Sequence, residues 1–239
     1  MIDIARKITA IGDLHCFFPK DLPGGDVLCI CGDIVPLDYQ RNFTQSVAWF
    51  ALDFNAWACG LPYGKVVFIG GNHDFFLGSL TAKFRPSDVL KQLLPGTHRS
   101  RSSLVYLCDN SVEIGGVRFY GTPWIADLSR WAFYRDDEGL REAYGAIPKR
   151  CDVLLTHMPP RACGAGTVLQ EGCRNTLADY GSEALAQAVS ARDIGWHLCG
   201  HVHSGSHCPQ PFGGVRNLVN VSVKDEDYRV AYAPFSFEI

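Results

Sequence analysis

Val66-Val67-Phe68-Ile69-Gly70-Gly71-Asn72-His73-Asp74 joins a short apolar run to two glycines and three side chains able to hold metals or protons. A four-residue, β-branched-rich run bounded by glycine suits a strand buried on both faces. Six other stretches are built the same way. Ile8–Ile11 leads into Gly12-Asp13, and Val27–Ile30 into Cys31-Gly32-Asp33. Val117–Tyr120 leads into Gly121-Thr122-Pro123-Trp124, and Val153–Leu155 into Thr156-His157. Trp196–Cys199 leads into Gly200-His201-Val202-His203, and Leu218–Val221 into Ser222.

Helical stretches separate these runs. Asn42–Ala58 has the length of a helix, though its apolar residues (Phe43, Val47, Phe50, Leu52, Phe54, Trp57) do not fall on one clean face. Ser87–Leu94 sets Val89, Leu90, Leu93 and Leu94 on one face, with Ser87 as N-cap and Pro95-Gly96 as the stop. Asp136–Tyr144 and Asn175–Ser190 are further helices, the second able to start late because of Gly181. Arg229–Ile239 alternates enough to be an edge or closing strand. Strand–helix alternation implies a layered α/β fold. With no low-complexity linker and no repeat, residues 1–239 are read as one domain.

The bulk properties narrow the function. The chain has 239 residues, 47% hydrophobic and 20% charged, which argues against disorder. A net charge of -3 and the absence of a Lys/Arg-rich stripe speak against a nucleic-acid partner. His98-Arg99-Ser100-Arg101 is the longest basic cluster and reads as a solvated loop. No signal-peptide pattern and no membrane-length apolar run are visible, so the cytoplasm is the expected location. The ten cysteines are read as reduced thiols, and no CxxC pair occurs. Cys29, Cys31, Cys108 and Cys199 fall in strands as small hydrophobes, while Cys163, Cys173 and Cys208 fall in loops.

The chemistry sits at the strand ends. Asp13, His15, Asp33, Asn72, His157, His201 and His203 are seven oxygen or nitrogen metal donors, and His73 is an extra imidazole. Strand ends of a layered α/β sheet converge on one crevice. Carboxylate, amide and imidazole together suit borderline divalent ions such as Mn, Fe or Zn. Seven donors exceed what one ion needs, so two ions sharing a carboxylate are expected. Single residues of this set could be turn formers after strands; their joint occurrence with patterned histidines speaks against that.

Asp13-Leu14-His15, Gly32-Asp33, Gly71-Asn72-His73-Asp74, His157 and Gly200-His201-Val202-His203, in this order, resemble the calcineurin-like metallophosphoesterase superfamily. GTPW, WAF, AIPKRCDVLLTHMPP, WHLCGHVHSG and NLVNVS resemble its small MPPED-type subgroup. The resemblance implies a four-layer αββα sandwich of two mixed β-sheets flanked by helices. It implies one ion on Asp13, His15, Asp33 and His203, and a second on Asp33, Asn72, His157 and His201, with Asp33 bridging. Mn is the first expectation, with Fe, Zn or Mg compatible. The implied reaction is hydrolysis of phosphoesters by a hydroxide held between the ions. Small-molecule phosphodiesters, cyclic nucleotides included, are expected ahead of monoesters. His73 is implied to protonate the leaving oxygen. Asp74 either orients the His73 ring or simply starts the following helix. A metal-dependent nuclease and a metal-binding scaffold with little turnover are the competing readings. His197 is read as a core residue, and His98 and His207 as surface or loop residues. Arg161 is read as a solvated loop residue ahead of a phosphate contact. Phe17, Phe18, Trp124, Trp131 and Phe133 are read as core packing ahead of a pocket wall.

Overall fold

The computed structural model describes residues 6–94, 103–169 and 177–239. Thirteen strands are described: β1 Lys7–Ile11, β2 Gly25–Cys31, β3 Tyr63–Ile69, β4 Leu104–Tyr106, β5 Asn110–Ile114, β6 Val117–Thr122, β7 Arg150–Thr156, β8 Thr167–Leu169, β9 Leu177–Asp179, β10 Asp193–Cys199, β11 Gln210–Phe212, β12 Val215–Asn220 and β13 Phe235–Glu238. The first sheet runs β13-β1-β2-β3-β4 and the second β11-β12-β10-β7-β6-β5, while β8 and β9 form a separate hairpin. In the first sheet β1 to β4 are parallel, and β13 is antiparallel to β1. In the second, β12, β10, β7 and β6 are parallel, with β11 and β5 antiparallel at the edges.

Alternation along the strands makes the layers. In β2, Val27, Cys29 and Cys31 face a core shared with Phe119, Val153, Leu155, Leu198 and Val219 of the second sheet. Leu28 and Ile30 face the other way, into a core with Trp49, Phe50, Phe76 and Leu90. On the far side of the second sheet, Tyr120, Leu154 and Leu218 pack with Leu140, Tyr144, Leu185 and Val189. The order is therefore helices, sheet, sheet, helices: two large mixed sheets flanked by helices. Among the described residues no helix is long and apolar enough to cross a membrane.

The helices differ in detail from the sequence reading. α1, Phe43–Trp49, is capped by the Asn42 side chain, which accepts from Gln45 N. It passes through a π-helical turn, Phe50–Phe54, into α2, Asn55–Gly60. The wider turn sets Phe50 and Phe54 side by side in the core, ring centroids 4.8 Å apart, and leaves Leu52 70% exposed. That register change is why the apolar spacing of Asn42–Ala58 is uneven. α3 is Phe75–Thr81. α4, Pro86–Leu93, starts with Pro at its first turn and Arg85 as the cap residue, in place of Ser87. Proline's fixed φ and missing N–H suit that position. The Pro95-Gly96 stop lies outside the described residues. α5, Asp137–Gly145, is capped by Asp136. α6, Glu183–Ser190, is capped by Ser182, and Leu177–Asp179 is β-strand rather than helix. Leu177 is 63% exposed, so its place in the helical spacing was a coincidence. β13 is an edge strand, as the alternation of 229–239 predicts.

Candidate metal centre

The parallel strands β1, β2 and β3 of one sheet and β7 and β10 of the other all end at the same edge. Their following loops carry Asp13 and His15, Asp33, Asn72 and His73, His157, and His201 and His203. Backbone bonds lace these loops together: Asp13 N donates to Gly32 O (3.1 Å), Gly200 N to His157 O (2.9 Å) and Val223 N to Gly12 O (3.1 Å). Two glycines allow the approach. A Cβ on Gly71 would overlap Asp33 Oδ1, and one on Gly200 would overlap Asp13 Oδ2.

All seven predicted donors meet there. Asp13, His15 and His203 form one close group, Asp13, Asp33 and His157 a second, and His15, Asp33 and His73 a third. Asp33 Oδ2 lies 3.4 Å from His157 Nε2 and 3.8 Å from both His15 Nε2 and His73 Nε2. Asp13 Oδ1 lies 3.5 Å from His203 Nε2. Asn72 Oδ1 lies 2.9 Å from His157 Nε2 and 2.9 Å from His201 Nδ1. Asp13, Asp33 and His157 are almost fully buried. Asp13, His15, Asp33 and His201 have φ of 53°, 41°, 51° and 69°. That left-handed backbone is costly for residues with a Cβ and gathers at functional sites.

Ring tautomers are fixed from behind. His157 Nδ1 donates to Cys31 O (2.8 Å) and His203 Nδ1 to Asp225 O (2.8 Å), which turns both Nε2 atoms inward. Both ring nitrogens of His15 are buried without a hydrogen-bond partner. A buried imidazole with neither nitrogen satisfied, beside two carboxylates, fits a divalent ion as its partner.

The electrostatics agree with a site built for cations. Burial alone raises the carboxyls of Asp13 and Asp33. His203 reverses this for Asp13, and His157, His73 and His15 reverse it for Asp33, so both are held below the usual range. Burial lowers His157 and His203, but Asp33 and Asp13 respectively outweigh it, and both are pushed up to about 9. Burial dominates for His15, held down to about 4, and for His201, held down to about 3 with His157 opposing its charge.

Asp74 does not touch the His73 ring. Its buried carboxylate accepts from Ile34 N (3.1 Å), Val35 N (3.1 Å) and Gly71 N (2.9 Å), clamping the loops after β2 and β3. Burial and the Asp33 charge push it up to about 7 against the pull of those donors. The ring is held instead by Gln40, whose Oε1 lies 2.5 Å from His73 Nδ1. An amide oxygen only accepts, so Nδ1 carries the hydrogen and Nε2 faces Asp33. Nothing in Asp38-Tyr39-Gln40 marks this role in sequence.

Two aromatics close over the imidazoles. Trp131 lies 4.6 Å from the His73 ring, so it walls the site rather than the core. Tyr228, unremarked in the sequence, packs edge-on against His15 (4.9 Å) and His203 (5.3 Å). Phe17 and Phe18 pack against the first core, and Phe133 is buried in it. Trp124 donates to Asp109 beneath the Arg135 guanidinium. Arg161 is exposed and donates to Gly181 O. His197 is buried against Thr156 Oγ1, and His207 stacks on Tyr232. His98 and Cys173 lie outside the described residues. Cys29, Cys31, Cys108 and Cys199 are buried free thiols; Cys163 is also buried, in the third core, while Cys208 is exposed.

A UPF0046 protein of Caenorhabditis elegans is 31% identical over 253 residues, covering 98% of this chain and 60% of that protein. The human metallophosphoesterase domain-containing protein 1 is 27% identical over 246 residues, covering 98% of this chain and 71% of that protein. The chain thus spans about three fifths to seven tenths of these relatives. The crystal structure of TT1561 of Thermus thermophilus superposes with a TM-score of 0.55 at 13% identity, over 91% of this chain and 89% of that one. A second crystal structure superposes with a TM-score of 0.62 at 12% identity, over 91% and 90%. At such identities the likeness concerns the fold alone. The family model described as calcineurin-like phosphoesterase matches residues 6–205, which hold every donor of the site, and the chain belongs to that family.

Proposed function

We propose that this protein hydrolyses small-molecule phosphodiesters with two divalent metal ions, Mn first among them. The family and the buried Asp/His groups support metal-dependent phosphoester hydrolysis. The observation that carries the two-ion reading is Asp33 Oδ2, which stands within 3.8 Å of His15 Nε2 on one side and 3.4 Å of His157 Nε2 on the other. Asp13, His15, Asp33 and His203 would hold one ion, and Asp33, Asn72, His157 and His201 the other. When bound, two such ions stabilise charge on phosphoryl oxygens and lower the pKa of a water.

The remaining steps fall to the chain's own groups. Burial lowers the His73 pKa, and Gln40 keeps the Nδ1 hydrogen engaged, so a proton given to the departing alkoxide would come from Nε2 of the imidazolium form. Trp131 against His73 keeps water from that side. Metal-stripped protein resupplied with Mn²⁺ is expected to cleave bis(p-nitrophenyl) phosphate faster than p-nitrophenyl phosphate. Monoester cleavage without diester cleavage would refute the diester preference, and full activity after stripping would refute the metal dependence.

Proton competition gives a second expected result. In the metal-free protein His157 and His203 are pushed up to about 9, above the ordinary histidine value. Their ion pairs with Asp33 and Asp13 stabilise the metal-free fold fully below a pH of about 6.5, and that contribution fades as pH rises through about 9. Each ring must lose its proton to bind an ion, so metal affinity rises with pH across the same window. Calorimetry in buffers of different ionisation enthalpy should register about two protons released per pair of ions at pH 7. An affinity equal at pH 7 and 9 would contradict this.

A further inference from the structure

A cavity of about 700 Å³ opens beside His201, lined by Val202 and Ser204 of the same loop. Its volume lies within the roughly 300–1,000 Å³ of small-molecule sites. Met158, Val168 and Tyr180 form an apolar wall, and Asp127, Glu226 and Asp227 stand at the rim. Among the described residues none of those lining it is Lys or Arg.

Aromatic rings stand over other imidazoles of the site. Trp131 packs at a tilt against His73, and Tyr228 lies edge-on to His15 and His203 and 6.4 Å from His73. The turn that carries Tyr228 is tightly bonded. Asp225 N donates to Arg229 O and Tyr228 N to Asp225 O, both at 2.9 Å. The Asp225 carboxylate accepts from Asp227 N (3.0 Å) and Arg229 N (2.8 Å). A leaving group protonated by His73 lies on the Trp131 side. The cavity beside His201 then offers room for the substituent that stays on phosphorus.

We propose that the cavity beside His201 takes the retained substituent of a phosphodiester, and that this substituent is an uncharged organic group of up to nucleoside size bearing no second phosphate. This rests on the diesterase reading above. The carboxylates argue for the charge preference. Glu226 is held by Ser204 N and Oγ (3.0 and 2.7 Å), and Asp227 is answered by Arg229 (2.6 Å). Asp127 has no hydrogen bond or ion pair among the described residues. A second phosphate here meets like charge from three rim carboxylates, and the described guanidinium at the rim, Arg229, is already paired with Asp227.

Three esters that release p-nitrophenol test this on the Mn²⁺-loaded protein: the p-nitrophenyl ester of thymidine 5′-monophosphate, its 3′-phosphorylated twin, and p-nitrophenyl phosphate. The expected kcat/KM for the nucleoside ester exceeds that of its twin by at least about tenfold. Val168→Trp fills the cavity and should lower the nucleoside-ester to monoester ratio at least about tenfold. Asp127→Asn, which suits that residue's φ of 62°, should shrink the penalty on the twin. A Val168→Trp ratio equal to wild type, with two ions bound per chain, overturns the cavity assignment alone. Equal turnover of twin and parent overturns the charge preference, and Asp127→Asn tests that point even where Val168→Trp fails to fold. Cleavage of none of the esters by wild type holding two ions fails the diesterase reading, and the cavity assignment with it.

Discussion

Asp33→Asn is expected to lower phosphodiester turnover at least about 10³-fold, because stabilisation worth several kcal/mol is lost and each ~1.4 kcal/mol is tenfold in rate. Asparagine keeps the shape. Its Oδ1 can still accept from His73 N, a 2.8 Å bond in the native chain, so the loop after β3 stays in place. What goes is the charge that His157, His73 and His15 surround. Without it the centre should retain fewer than two ions per chain after dialysis, by elemental analysis. His157 should also lose its elevated pKa, since Asp33 is what offsets its burial. His73→Ala offers the contrast. There kcat should fall by roughly 10²–10⁴ while both ions remain. A variant at Asp33 that keeps two ions and full turnover would remove the bridging role.

Asp74→Ala is expected to destabilise the fold by ~3–9 kcal/mol, since its carboxylate serves three buried N–H groups and each one left unpaired costs ~1–3 kcal/mol. Against a typical stability of ~5–15 kcal/mol that is a large fraction. The melting temperature of the metal-free protein should drop by roughly 10 °C or more. Asn in its place retains part of the accepting capacity and should fall between the two. A melting temperature within about 2 °C of wild type would mean that Ile34, Val35 and Gly71 find other acceptors.

Much of this was written locally in the chain. Asp13 with His15 and His201 with His203 sit two apart beside glycines, and such spacing is visible without a fold. The strands were visible as short apolar runs, because both faces are buried: Val27, Cys29 and Cys31 face one core, and Leu28 and Ile30 the other. Gln40 was not visible, because it meets His73 only through folding, 33 residues away. Tyr228 belongs to a turn far from every motif and reaches the imidazoles only when β10 and the loop after β12 come together. The Asn42–Ala58 helix was blurred by its π-helical turn. The true fate of Leu177–Asp179 depended on pairing with Thr167–Leu169, a partner that helical spacing does not reveal.

The antiparallel pairing of β13 with β1 joins Lys7 to Glu238 and Ala10 to Phe235. One flank of β1 therefore waits for residues made more than two hundred positions later. At a synthesis rate of about 5–20 residues per second, that flank stays uncovered on the ribosome for roughly 10–50 s. It is a row of unpaired backbone donors and acceptors on a strand with buried side chains, the kind of surface that recruits foreign strands. The nascent chain thus has a period in which holding by a chaperone protects it, and deletion of Phe235–Glu238 would make that exposure permanent.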